Sequence, residues 1–160
     1  INRKVMAGIM TRNPDTAALS FAGGLLQKHE IRNVRVENDY SSGDSILEKM
    51  LYIIKEYQSD RLPDVCKFNL EVRDFYELEI VLNFIKENKL AGFEELMLER
   101  LSKHNVPYDI YNLTESLLSY KNPGLQNRTI KILKMHPSNW KTGNWANKFK
   151  ELFEEYKIEM

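Results

Sequence analysis

The sequence predicts an all-α protein, with about seven or eight helices of roughly 10 to 16 residues forming an antiparallel helical bundle or a short α-superhelical stack of helical hairpins. Three observations predict it. Apolar residues recur at three- and four-residue spacing through nearly all of the chain after Ser45. Prolines flanked by Asn or Asp punctuate that pattern, at Asn13-Pro14-Asp15, Pro63-Asp64 and Asn122-Pro123-Gly124. Period-two alternation occurs only from Ile31 to Asp39, and one short run has no strand to pair with.

The segment from Asn2 to Met10 is mixed apolar and basic and reads as a short helix or a frayed end. Asn13-Pro14-Asp15 starts a helix to about His29, with Leu19, Ala22, Leu25 and Leu26 on one stripe. Gly23 and Gly24 inside it each cost about 1 kcal/mol relative to alanine, so a bend or a close approach is expected there. Residues 31–39 read as an extended linker, and Tyr40-Ser41-Ser42-Gly43 as a turn. Asp44 or Ser45 with Glu48 makes a capping box for a helix to about Gln58, whose inward residues are Ile46, Leu47, Met50, Leu51, Ile54 and Tyr57.

Pro63 opens a short helix through Val65, Cys66, Phe68 and Leu70. The strongest pattern follows, from Asp74 to Leu101: Leu78, Val81, Leu82 and Ile85 on one face, then Phe93, Leu96, Met97 and Leu101 beyond a break at Lys89 to Gly92. It reads as a helical hairpin in the middle of the core, with Asp74 and Glu77 as its capping pair and Gly92 in the left-handed position. Its second arm ends near His104-Asn105, because Pro107 disfavours a helical residue before it. Asp109 then caps a helix through Ile110, Leu113, Leu117 and Leu118. After the Asn122-Pro123-Gly124 turn, a helix over residues 125–135 turns Leu125, Thr129, Ile132 and Leu133 inward. The last helix, about Trp145 to Lys157, carries Trp145, Phe149, Leu152, Phe153 and Tyr156 on one face.

A chain of 160 residues with 42% hydrophobic composition fits one helical domain, able to bury roughly 70% of the surface its unfolded form exposes. Because it begins at Ile1, it reads as excised from a longer protein. Cys66 is the single cysteine, so an internal disulfide is impossible and an intracellular setting, cytoplasmic or nuclear, is expected. No apolar run approaches the ~20 residues that span a bilayer, so no membrane partner is expected.

Charge is balanced overall, 23 basic residues against 23 acidic, but unevenly placed. Residues 116–160 carry eight Lys/Arg and four Glu, and between Ser116 and Lys150 there are seven bases and no acid. Arg128, Lys131 and Lys134, spaced by three, form one slanting basic stripe. With Trp140, Lys141 and Lys148 they are the candidate binding residues, for a nucleic acid or for a protein partner. The bland alternative puts Trp145 in the core, half-covered by Trp140, with lysines that keep this face soluble.

Nothing points to catalysis. His29, His104 and His136 each stand at a predicted helix end, where capping explains them, and no second histidine four residues away completes a zinc pair. Glu77 with Glu79, and Glu94 with Glu95, are too close in sequence to converge on one point of a helix. Gly23-Gly24 lacks the frame of a phosphate loop. No catalytic residue, metal ligand or cofactor is therefore expected.

Two stretches resemble known families. Residues 98–122, LERLSKHNVPYDIYNLTESLLSYKN, look like one helix-turn-helix of a pentatricopeptide RNA-binding repeat. Residues 101–153, ending NRTIKILKMHPSNWKTGNWANKFKELF, are similar to the helical N-terminal domain of transcription elongation factors, which docks short peptide motifs. They lack that family's Leu-Trp pair, having Trp145 and Phe149 in the last helix. The overlapping resemblances assign no family. The expectation is a non-catalytic helical interaction domain that binds a partner protein or peptide in a groove between helices. The alternative is RNA or single-stranded nucleic-acid binding through residues 116–150.

Overall fold

The computed structural model describes residues 46–136 and 138–159. The expectations for residues 2–45 lie outside them. Among the described residues there are seven helices and no strand, with 81% of the region helical. The protein is all-α.

The chain divides into two compact units, with the boundary at Val72/Arg73. In the first, α1 (Ile46–Tyr57) packs on α2 (Leu62–Val72), joined by a 3-10 turn at Ser59–Arg61. Leu47, Met50, Leu51 and Ile54 of α1 are buried, as their spacing predicts, together with Leu62, Val65, Cys66 and Leu70 of α2. Tyr57, expected inside, is exposed; it is the last residue of the helix.

The second unit holds α3 (Phe75–Glu87), α4 (Glu94–Lys103), α5 (Pro107–Ser119), α6 (Pro123–Met135), a 3-10 turn (Ser138–Lys141) and α7 (Gly143–Glu155). Its centre is not the predicted hairpin. α3 and α4 make at most marginal contact with each other; both pack on α5, which also receives α6 and α7. The sequence understates α5 because Asn112, Thr114 and Ser116 are buried beside its leucines. Thr114 explains how a polar residue can be there: its hydroxyl donates to the Ile110 carbonyl at 2.6 Å, so burial leaves no donor unpaired.

Helix ends also depart from expectation in instructive ways. Pro107 does not merely stop the preceding helix; it is the first residue of α5, with Val106 extended before it. Asn122 accepts from the Leu125 N–H at 3.0 Å, so α6 starts at Pro123 rather than Leu125. At the end of α3 Lys89 is left-handed (φ 52°), and Gly92, as expected, also takes a positive φ (92°). Leu90 N–H donates to the Ile85 carbonyl and Lys89 N–H to that of Lys86, a closed helix end. The same pair of bonds after α7, from Ile158 to Phe153 and from Lys157 to Glu154, closes that helix end and ties down residues 157 and 158. Lys157 is likewise left-handed (φ 55°).

Candidate functional site

The six residues singled out from the sequence fall into three settings. Arg128 sits at the edge of α6 and makes a two-pronged ion pair with Glu95 of α4, at 2.5 and 2.6 Å. Those hydrogen bonds hold the Glu95 carboxyl below its ordinary range and the Arg128 guanidinium above its own. The stretch that is acid-free in sequence is thus not acid-free in space.

Trp140 is 4% exposed, with its ring centroid 4.7 Å from that of Phe149 and 6.2 Å from that of Phe153. It is core, and it offers no open face on which a base could stack. Trp145, expected in the core, is the half-exposed one. It lies 6.1 Å from Tyr108 and 5.9 Å from Tyr111. The exchange arises because the 3-10 turn carries Trp140 inward, whereas Trp145 belongs to the first turn of α7. Lys148 lies over Trp145 at 4.7 Å, and Lys141 over Trp140 at 5.1 Å. Both ammonium groups are thereby engaged with rings of their own chain.

Lys131 and Lys134 stand apart from these. They lie on the face of α6 opposite its buried stripe of Leu125, Thr129 and Leu133, and neither has an ion-pair partner among the described residues. Together with Ile130 and Met135 they form one wall of an open groove of about 610 Å³, which begins at Gln126 and Asn127. Lys157 and Ile158, tied down by the helix end after α7, line it together with Glu159. Met135 is 77% exposed. The groove follows α6 over nine residue steps, about 14 Å at 1.5 Å per step.

Sequence reasoning missed Ile130, Met135 and Ile158. A signal was available for the first two, apolar residues lying off the inward stripe of their helix. Ile158 gives none, because its place depends on how the chain leaves α7.

A second polar group is internal. Arg100, nearly buried, donates to the Arg73 carbonyl and to Asp74 Oδ1, each at 2.7 Å, and its guanidinium also meets His104 Nε2. A guanidinium can only donate, so Nε2 must accept and the ring hydrogen sits on Nδ1. That nitrogen faces Asp109 Oδ2 at 3.3 Å. Asp109, 1% exposed, spends its other oxygen on the Phe75 N–H at 2.9 Å. The expected capping roles therefore change. Asp109 lies in the first turn of α5 and holds the start of α3 instead, and the Asp74 carboxylate turns to Arg100 rather than capping α3. Desolvation and the neighbouring Arg100 lower the His104 pKa, while desolvation raises that of Asp109.

Asp74, His104 and Asp109 could each offer a ligand atom to a metal ion, within 4.8 Å of one another. Arg100 already stands on the first two, and a cation there would meet its positive charge. The arrangement suits a knot that ties α3, α4 and α5 together.

No family model matches the chain, nor does any curated protein or solved structure. Function has to be argued from the geometry. Among the described residues no helix is long and apolar enough to cross a membrane.

Proposed function

We propose that this chain is a non-catalytic helical interaction domain, which binds a partner protein through a short peptide motif seated in the groove along α6. One observation carries the reading. The outer face of α6 combines a 77%-exposed Met135 with Ile130 and two lysines lacking ion partners among the described residues, and residues 157–159 turn this face into a groove. Scattered exposed apolar residues are ordinary on a protein surface; apolar residues gathered in a groove with a charged rim match the way helices and short motifs are bound.

The groups that most resemble catalytic ones support the non-catalytic part of the reading. Cys66 is buried, which pushes its thiol up to about 12 and keeps it from acting as a thiolate near neutrality. His104 is held between Arg100 and Asp109. A lone buried free thiol also suits a reducing compartment, so we place the protein's action inside the cell.

Selection of a displayed random-peptide library against the full chain tests the proposal. Recovered sequences should lose binding on Met135→Asp and keep it on Glu99→Gln, a change away from the groove. Recovery of no peptide that depends on Met135 would overturn it. Titration with labelled single-stranded RNA at two salt concentrations separates the competing reading. RNA binding that falls steeply with salt and vanishes in Lys131→Glu/Lys134→Glu would favour a nucleic-acid ligand instead.

A further inference from the structure

The groove's own chemistry specifies more than its existence. Several cations in this unit are engaged: Arg128 has Glu95, Lys86 has Glu115 at 3.0 Å, Lys150 has Glu154 at 3.8 Å, and Lys141 and Lys148 lie over tryptophan rings. Lys131, Lys134 and Lys157 have no such partner among the described residues, and all three face the same groove. Among the described residues Glu159 is the one acid that lines it. Like charges gathered without counterions repel one another, and an anion seated among them relieves that repulsion.

We infer that the occupant is an acidic amphipathic peptide segment, with carboxylates three or four residues apart along one edge of an apolar stripe. The inference rests on the peptide-groove reading and names the partner class. Lys131 and Lys134 are three residues apart, about 4.5 Å of rise, so carboxylates at that same spacing on a bound helix can meet both. Apolar side chains of the segment cover Ile130, Met135 and Ile158, excluding water from ion pairs that would contribute little if left fully exposed. The ~14 Å length accommodates about two and a half turns of helix.

A phosphate backbone fits less well. Among the described residues no aromatic side chain lines the groove to stack a base, and Trp140, the ring nominated for that role, is buried. Arg128, which would lengthen the basic track, is already paired with Glu95.

The test uses the full chain and three synthetic probes. The first is a labelled amphipathic peptide of about four turns, with Glu at every third or fourth position beside Leu and Phe. The second carries Gln in place of each Glu, and the third Lys. Fluorescence anisotropy up to about 1 mM gives affinities, and methyl resonances of Ile130, Met135 and Ile158 locate the site.

The Glu peptide is expected to bind and shift those methyl groups, and the Gln peptide to bind at least about tenfold more weakly. Lys131→Glu/Lys134→Glu should reverse the order, so that the Lys peptide binds the variant best. Circular dichroism confirms that these surface changes leave the fold intact. Equal affinity for the Glu and Gln peptides, with the methyl shifts retained, overturns the acidic class while leaving the peptide groove standing. No methyl shift with any of the three peptides overturns the groove reading as well. RNA that displaces the Glu peptide from the same methyl groups, with higher affinity, assigns the lysines to phosphate.

Discussion

Helices α5 and α6 are adjacent, equally long at 13 residues, and both begin with proline at the first helical position. Yet α5 buries eight residues, including Asp109, Asn112, Thr114 and Ser116, whereas α6 buries three. Local code does not separate them; neighbours do. α5 is packed by α3, α4, α6 and α7, so most of its surface is covered and polar residues such as Thr114 are accommodated by bonding within the helix. Among the described residues α6 packs chiefly on α4 and α5, with its far side exposed. The candidate site lies on the helix with fewer neighbours, because only an unpartnered face can accept something from outside.

The largest expected effect comes from truncating both helices. Leu113→Ala in α5 should destabilise the second unit by ~2 to 5 kcal/mol, and Leu82→Ala on the face of α3 should fall in the same range. Ile130→Ala in α6 should cost less than about 1 kcal/mol, since its side chain is only partly buried. Both tryptophans lie in this unit, so urea unfolding followed by tryptophan fluorescence reads all three variants. Similar costs at Leu113 and Ile130 would erase the contrast between the helices.

Next in size is the polar knot against the surface pair. Asp109→Ala should cost about 1 to 3 kcal/mol, because it strips the acceptor from the Phe75 N–H and leaves the His104 Nδ1–H without its carboxylate. Glu95→Gln weakens the exposed pair with Arg128 and should leave the unfolding midpoint unchanged. A knot that is dispensable would show as an Asp109 variant no less stable than the Glu95 one.

The knot also predicts a pH dependence of stability. The His104 pKa is lowered in the fold, so the unfolded chain takes up its proton first. Its contribution is complete above the unfolded value near 6.5 and is lost as pH falls from there toward the folded value. Asp109, with its pKa raised, acts in the opposite sense at lower pH: its charged form is disfavoured in the fold, and the penalty fades as pH falls from its folded value toward 3.8. Stability should therefore decline as pH falls below about 6.5, and His104→Gln should flatten that decline. An unchanged slope in the variant would remove His104 as its source.

The smallest effect concerns the helix ends. Lys89 and Lys157 hold left-handed backbone that costs a side-chain-bearing residue roughly 1 to 2 kcal/mol and glycine very little. Lys89→Gly should stabilise by up to about 1 kcal/mol once glycine's greater freedom in the unfolded chain is subtracted. Lys157→Gly should do the same for stability while weakening any acidic ligand of the groove, which separates backbone from charge at one position.

Much of the architecture was legible beforehand. The helical periods at Leu47 to Ile54, Leu78 to Ile85 and Phe149 to Phe153 are long enough that only one period fits, and each proved to be the buried face of a helix. The candidate face was half legible. Lys131 and Lys134 stood out by charge, but the sequence grouped them with Arg128, Trp140, Lys141 and Lys148, which the fold sends elsewhere. Charge along a chain is blind to partners supplied from other helices: Glu95 lies 33 residues from Arg128. Trp140 and Trp145 could not be ranked either, since each stands near a turn and periodicity does not say which ring a turn carries inward.

The sequence by itself determined that the chain is helical, where most helices begin, and which stripe each one buries, because backbone periodicity and cap chemistry act over only three or four residues. Tertiary structure alone decided that α5 is the centre, that Asp109 restrains α3 instead of capping its own helix, and that Ile158 meets Met135 and two lysines across a groove. Those outcomes depend on which helix faces which, a matter of packing between residues tens of positions apart, and local spacing carries no record of it.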